Sequence, residues 1–358
     1  MSCVLIMAGG TGGHVFPGLA VARRLLEKRV HVVWLGTRRG LEAHAVPASG
    51  LAIDMEWLSI RGVRRKGWVR WLLFPFTLVY AMGQALRVLR RRKPDAVLSL
   101  GGFVAGPGVL VARLTCTPLV IHEQNAIPGM TNKWLALIAD QVLCGFPETF
   151  GSRIPARPVG NPVRNEIIGL PPPDVRMASR GGRLRLLVVG GSQGANVFND
   201  VVPVAIRNLP EKIRAEVWHQ SGRNAAAHVT AAYAGLPAKV TEFIDDMAGA
   251  YAWADVVLCR AGAMTIAELA ASGSAAILVP YLYAVDDHQT ANARFLSDRS
   301  AAVLIPQKEF TADRLCELLS GFAANRDLPL KMARAARHLA VTDAAENVAE
   351  VCLGVIDA

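Results

Sequence analysis

The chain has 358 residues, more than twice what one domain of about 150 residues needs, so two domains with separate cores are expected. Apolar residues make up 52% and charged residues 19%, with a mean hydropathy of +0.30, which excludes an intrinsically disordered chain. The formal net charge of +10 sits in one place: no acidic residue occurs between Glu56 and Asp95, whereas Arg61, Arg64, Arg65, Lys66, Arg70, Arg87, Arg90, Arg91, Arg92 and Lys93 all do. A nucleic-acid-binding protein spreads basic charge along the face that follows the phosphates, so this pattern points to a local anionic partner and not to nucleic acid.

Apolar runs of strand length alternate with helical stretches throughout, at residues 3–7, 30–35, 96–100 and 118–122 in the first half. They recur at 184–189, 216–220, 240–243, 255–259, 275–280 and 302–305 in the second. Continuous apolar strands separated by helices imply parallel sheets covered on both faces, so the expected class is α/β with two doubly wound, Rossmann-like domains. The first run is preceded by no basic stretch, apolar core or cleavage site, and a cytoplasmic protein is expected.

Three strand-like runs lead into glycine loops: GGTGGH at 9–14, GGFVAGPG at 101–108 and GGSQG at 190–194. A loop that opens a helix bares backbone N–H groups at the positive end of the helix dipole, and glycine lets an anion approach them closely; phosphate is the natural ligand. None of the three fits GxGxxG, and no GKS or GKT follows, so a dehydrogenase or P-loop NTPase is disfavoured. Close packing of helix on strand also selects glycine, so each loop alone is ambiguous; three of them strengthen the phosphate reading.

Between the first two loops, residues 71–86 (WLLFPFTLVYAMGQAL) form an uncharged run that is short of the about 20 residues a membrane span needs. Trp68, Trp71, Phe74 and Phe76, bracketed by basic residues, have the composition of a surface that dips into the headgroup layer of anionic lipids. A buried helix with solvated basic ends fits the same residues. The Pro- and Gly-rich stretch 161–182 reads as a linker between a domain at 1–160 and another at 183–342, with a helical tail at 343–358 free to pack back on the first. Two such domains would face each other across a cleft at the carboxyl ends of their sheets, where open α/β sheets bind ligands.

In the second half, RAGAMTIAE at 260–268 is another strand-to-helix turn. Thr265 and Glu268 have capping-box spacing; alternatively, a carboxylate one turn into such a helix accepts ribose hydroxyls while the helix start holds a diphosphate. Asp245/Asp246 and Asp286/Asp287 are adjacent carboxylates without a third ligand at matching spacing, and they read as turn residues; neither a metal nor another cofactor is expected. Cys3, Cys116, Cys144, Cys259, Cys316 and Cys352 contain no CxxC pair and read as buried thiols.

Taken in order, GGTGGHVFPGLAVA (9–22), GGFVAGPG (101–108), HEQNAIPGMTNKWLA (122–136), GNPVR (160–164), GGSQGA (190–195), VTEFIDDM (240–247), ADVVLCRAGAMTIAE (254–268) and DDHQTANA (286–293) resemble the MurG family of bacterial glycosyltransferases, family 28. The resemblance implies a two-domain GT-B fold and inverting transfer of N-acetylglucosamine from UDP-N-acetylglucosamine to lipid I in peptidoglycan synthesis. It implies donor contacts from Thr11, Gly12, Gly13, Asn125, Arg164, Ser192, Ile244, Ala263, Met264, Thr265, Ile266, Ala267, Glu268 and Gln289, and an acceptor diphosphate near Gly12 and Gly102. It also implies a peripheral protein on the cytoplasmic face of the inner membrane, with anionic lipids and cell-wall assembly proteins as candidate partners. Leu282-Tyr283 departs from the more polar stretch expected before Asp286.

Glycosyl transfer must stabilise a departing diphosphate and remove a proton from the attacking hydroxyl. His14, at the mouth of a glycine loop, is the candidate base, with a nearby carboxylate as the alternative. His122 is expected to support Glu123 and Asn125, and His288 to cap the turn before Gln289. Rival readings are a UDP-sugar transferase with another lipid acceptor, a UDP-N-acetylglucosamine 2-epimerase, and a non-catalytic sensor of UDP-sugar at the membrane.

Overall fold

The computed structural model describes residues 2–60, 68–102, 104–178, 180–191 and 194–357, with backbone alone for 68–74 and Val285. The chain forms two units, Met1–Arg164 with Thr342–Ala358, and Asn165–Val341.

Among the described residues, the first unit holds β1 (Cys3–Ala8), β2 (His31–Gly36), β3 (Ile53–Trp57), β4 (Ala96–Gly101), β5 (Leu119–Glu123), β6 (Gln141–Cys144) and β7 (Arg157–Pro158). They make one parallel sheet in the order β3-β2-β1-β4-β5-β6-β7, whose direction of winding reverses between β1 and β4. The central strands were predicted nearly to the residue because every position of β1 and β4 is buried. β3, β6 and β7 escape sequence analysis, since they are only five, four and two residues long and offer no long apolar run.

One sheet face packs Ile6, Val32 and Trp34 against the helix Gly12–Glu27 and against Val348, Ala349 and Cys352 of the helix Ala344–Gly354. The C-terminal tail therefore belongs to the first core, and Lys28 Nζ pairs with its Glu346 at 2.5 Å. The other face packs Leu5, Met7 and Val33 against the helices Trp68–Arg92 and Ala105–Leu114. The aromatic segment divides along one helix: Ala81, Ala85, Val88 and Leu89 are buried, as the buried-helix reading expects, while Phe76, Val79 and Tyr80 are 74%, 69% and 59% exposed. The basic segment is also less free than its composition suggests, because Arg91 and Arg92 pair with Glu56, and Arg92 with Asp54.

The second unit holds, among the described residues, β8 (Arg185–Val189), β9 (Glu216–Gln220), β10 (Ala238–Thr241), β11 (Val256–Cys259), β12 (Ala275–Leu278) and β13 (Ala302–Leu304), all parallel in the order β10-β9-β8-β11-β12-β13. β10 ends before the predicted Phe243, which is half exposed in the following turn. Asn165–Ile168 and Pro173–Met177 are short helices of this unit. Arg176 donates from there to the carbonyls of Tyr251 at 2.9 Å, Ser272 at 2.5 Å and Gly273 at 2.6 Å. The six thiols are unbridged; Cys3, Cys144, Cys259 and Cys352 are buried, Cys316 is half-buried, and Cys116 is exposed, contrary to expectation.

The turn after β1 is fixed by a residue that no sequence motif singles out. The carboxylate of Glu42, fully buried, accepts from Gly10 N at 2.9 Å and from Thr37 N and Thr37 Oγ1 at 2.8 Å each. Gly9, Gly36 and Gly40 crowd it so closely that a Cβ on any of them would lie 2.1 to 2.7 Å from its side chain. Replacing Glu42 with Ala strands these half-buried donors and leaves a buried void, and is expected to destabilise the protein by about 2–3 kcal/mol, read as a lowered urea midpoint.

In the second core His219 Nδ1 bonds Tyr233 Oη at 2.8 Å, and burial pushes its pKa down to about 4. The native state then binds fewer protons than an unfolded chain with the ordinary value, so this contribution is complete above about pH 6.5 and is lost as pH falls toward 4. Between pH 7 and 4.5 the wild type is expected to lose about 2.5 kcal/mol from this group. Urea unfolding at both pH values, with His219→Gln showing a smaller loss, checks it.

Candidate functional site

The first unit gathers most of its predicted residues at the carboxyl ends of β1 and β4. The helix Gly12–Glu27 starts directly after the loop, with Thr11 at its N-cap and, among the described residues, no side chain capping it. Its first N–H groups are thus left for a ligand. Gly101 and Gly102 have φ of 102° and 87°, and a Cβ on Gly102 would stand 2.1 Å from Gly9 O, so only glycine lets the two loops touch. A Cβ on Gly101 would meet the His14 ring at 3.0 Å, which places His14 over the second loop. The Arg164 guanidinium stacks on Phe16 of the same helix, 5.2 Å from the ring centre.

At the end of β5, Glu123 is buried and, among the described residues, four hydrogen bonds to it hold the following loop. Its Oε1 accepts from Asn125 N at 2.9 Å and Asn125 Nδ2 at 3.0 Å, and its Oε2 from Gly129 N at 3.1 Å and Asn132 Nδ2 at 2.8 Å. Glu42 and Glu123 are therefore both engaged as structural acceptors. His122 does not support Glu123 and Asn125 as expected. Fully buried, it bonds Gly160 O through Nε2 at 2.9 Å and Gln124 Nε2 through Nδ1 at 3.2 Å, and desolvation lowers its pKa. Gln124 in turn reaches His14 Nδ1 at 3.1 Å. Gln124 lay inside a quoted motif, yet nothing in its type or spacing announced this contact.

In the second unit the loop after β8 has Gly191 at φ 83° and Gly194 at φ 73°; Ser192 lies outside the described residues. The helix Ala263–Ser272 begins with Gly262 at its N-cap and, among the described residues, no capping side chain. The capping box at Thr265 and Glu268 is therefore not formed: the helix starts too early for Thr265 to be its cap. Ala263, Met264, Thr265, Ile266 and Ala267 make up the open first turn, and Glu268 follows with Oε2 accepting from Tyr251 Oη at 3.1 Å. An open helix start with an oriented carboxylate one turn on suits a ribose diphosphate.

Arg260, also unassigned by sequence, donates to Val279 O at 3.0 Å and Pro280 O at 3.3 Å. Its guanidinium lies between the rings of Phe198 at 4.9 Å and Tyr281 at 5.4 Å. It thus ties the end of β11 to the 281–287 loop, whose Leu282 and Tyr283 are exposed. Gln289 Oε1 accepts from Tyr281 N at 2.9 Å, which leaves its amide N–H groups as what it offers a ligand. His288 is the first residue of the helix His288–Ser297. Ile244 is only 4% exposed, so little of its surface can meet a base, whereas neighbouring Phe243 is 53% exposed. Among the described residues no cluster of three or more His, Cys, Asp or Glu could hold a metal.

The glycosyltransferase family 28 N-terminal domain matches residues 4–144 and the family 28 C-terminal domain residues 185–348. UDP-N-acetylglucosamine--N-acetylmuramyl-(pentapeptide) pyrophosphoryl-undecaprenol N-acetylglucosamine transferases from Nitrosococcus oceani and Alkalilimnicola ehrlichii are 52% and 53% identical, each over 98% of this chain and 98% of the relative. The crystal structure of Acinetobacter baumannii MurG superposes with a TM-score of 0.85 at 38% identity, covering 99% of this chain and all of that one. A UDP-GlcNAc 2-epimerase from Neisseria meningitidis, 11% identical over 99% of this chain and all of its own, shares the fold at a TM-score of 0.70. The expected GT-B architecture is borne out by these neighbours and the two parallel sheets, and the chain belongs to glycosyltransferase family 28.

Proposed function

We propose that this chain transfers N-acetylglucosamine, with inversion, from UDP-N-acetylglucosamine to the 4-hydroxyl of the N-acetylmuramoyl unit of lipid I, giving lipid II and UDP. The observation that carries this reading is identity of about half, over nearly the whole length, with transferases of that name. The hydroxyl oxygen forms a bond to the anomeric carbon as the bond from that carbon to the diphosphate breaks, and the electron pair leaves with UDP. His14 takes the hydroxyl proton. The open turn at 263–267 and Arg164 stabilise the leaving diphosphate, with Ser192 and the Thr11, Gly12 and Gly13 backbone beside the donor. Glu268 receives the ribose hydroxyls, Asn125 and Gln289 hold the sugar, and Ile244 borders the uracil. Gly12 and Gly102 meet the acceptor diphosphate.

Purified protein given UDP-N-acetylglucosamine labelled in the sugar and a soluble lipid I analogue is expected to release UDP and place label in the lipid product. His14→Gln is expected to lower kcat by about 100-fold or more while calorimetric UDP affinity stays near wild type. Donor binding without product would favour the sensor, label in free sugar an epimerase, and label in another lipid a different acceptor.

The acceptor's polyprenyl tail requires work at a bilayer surface, and we place the protein peripherally on the cytoplasmic face of the inner membrane. No described helix is long and apolar enough to cross a membrane. The supporting feature is the outer side of one helical layer. Phe76 and Tyr80 on Trp68–Arg92, and Met130 and Trp134 on Met130–Leu135, are each more than half exposed, beside exposed Arg87, Arg90 and Lys133. Trp68, Trp71 and Phe74 have side chains outside the described residues, as do Arg64 and Arg65. The triple variant Phe76→Ser, Tyr80→Ser, Trp134→Ser is expected to bind phosphatidylglycerol vesicles at least about tenfold more weakly, with turnover of the soluble analogue unchanged. Binding should also weaken with salt, and undiminished sedimentation with vesicles would reject this face.

A further inference from the structure

The orientation of Gln124 follows from one contact. Its Nε2 lies 3.1 Å from His122 O, a carbonyl that can only accept, so that end of the amide is the donor and Oε1 is the end at His14 Nδ1, 3.1 Å away. The second hydrogen of Nε2 points to His122 Nδ1 at 3.2 Å, which must then carry a lone pair. That agrees with His122 Nε2 donating to Gly160 O at 2.9 Å. Burial holds His122 neutral, with one ring proton to place. Two backbone carbonyls thus set the direction of every hydrogen bond in the series.

The end of the series is His14. Since Gln124 Oε1 can only accept, His14 Nδ1 must donate. Its other nitrogen has no hydrogen-bond partner among the described residues. We propose that Gln124 is a positioning residue that fixes the tautomer of His14, keeping the proton on Nδ1 and presenting the Nε2 lone pair to the attacking hydroxyl. Gln124 is 2% exposed and its own carbonyl accepts from Asn161 Nδ2 at 2.9 Å, so water does not readily replace the amide. This rests on His14 as the base; the tautomer itself is read from the hydrogen bonds alone.

The test uses the full chain, UDP-N-acetylglucosamine and a soluble lipid I analogue, with histidine labelled by nitrogen-15 and the His14 signals assigned by their loss in His14→Gln. Wild type is expected to show a protonated Nδ1 and an unprotonated Nε2. Gln124→Met, close in volume but unable to accept, should release the ring to exchange between tautomers and lower kcat by about tenfold or more, with the donor KM little changed. Gln124→Glu keeps an acceptor at Nδ1 and should restore the wild-type tautomer and part of kcat. A wild-type spectrum with Nε2 protonated overturns the proposal, as does Gln124→Met with unchanged tautomer and kcat. If Gln124→Met melts early, Gln124→Glu decides: wild-type tautomer with recovered kcat supports the assignment, and loss of both in a folded protein overturns it. A His14→Gln enzyme that still turns over, beside a wild type protonated at Nδ1, removes the base reading and leaves the tautomer assignment standing.

Discussion

Helices that begin immediately after a central parallel strand, with nothing of their own covering the first turn, are the feature on which the remaining chemistry depends. Side chains close two helix starts, where Asp246 accepts from Gly249 N and Thr311 from Arg314 N, and many others, such as Ala105–Leu114 and Asn196–Asn208, carry no side-chain cap among the described residues. At Gly12–Glu27 and Ala263–Ser272, too, no side chain among the described residues closes the start. Glycine enters at these junctions because the backbone must be approached closely, and the open N–H groups favour oxyanions over other ligands.

Openness of that kind needs rigid surroundings, and buried acceptors supply them. Glu42 holds the loop after β1 and Glu123 holds the loop after β5. Asp255 does comparable work in the second unit, accepting from Arg180, Arg326 and the Arg185 N–H. Each of these carboxylates sits among several donors, which is how a buried charge is tolerated. They shape the site without taking part in it. Under the proposed reading this leaves His14, whose Nδ1 meets Gln124 Oε1, for proton transfer.

Much of this was legible from sequence. The central strands announce themselves by unbroken apolar runs, and the glycine loops by their place after those runs. Glu268 was identifiable as either cap or ligand, and the early start of its helix at Ala263 decided against the cap. What could not be read depends on contacts across the chain. Glu42 lies 32 residues from the Gly10 it holds, and Gln124 lies 110 from His14; neither distance leaves a periodic or spacing signal. Arg260 was passed over because an arginine beside a strand looks solvated until Phe198 and Tyr281 are seen on either side of it. In the first unit β3, β6 and β7 fell below detection because they are only five, four and two residues long.

The return of the last helix to the first core has a consequence for biosynthesis. Val348, Ala349 and Cys352 complete a surface begun by Val15, Val21 and Leu25, yet the ribosome makes them only after all of Asn165–Val341 has emerged. The earliest part of the polypeptide must therefore wait, with an apolar flank uncovered, while a complete second unit is produced and folds. Termination between Arg164 and Ala344 would yield a molecule with that flank bare, marked for chaperones or proteolysis. The helix Ala344–Gly354 acts as a seal that synthesis applies to the first unit only after the second has been made.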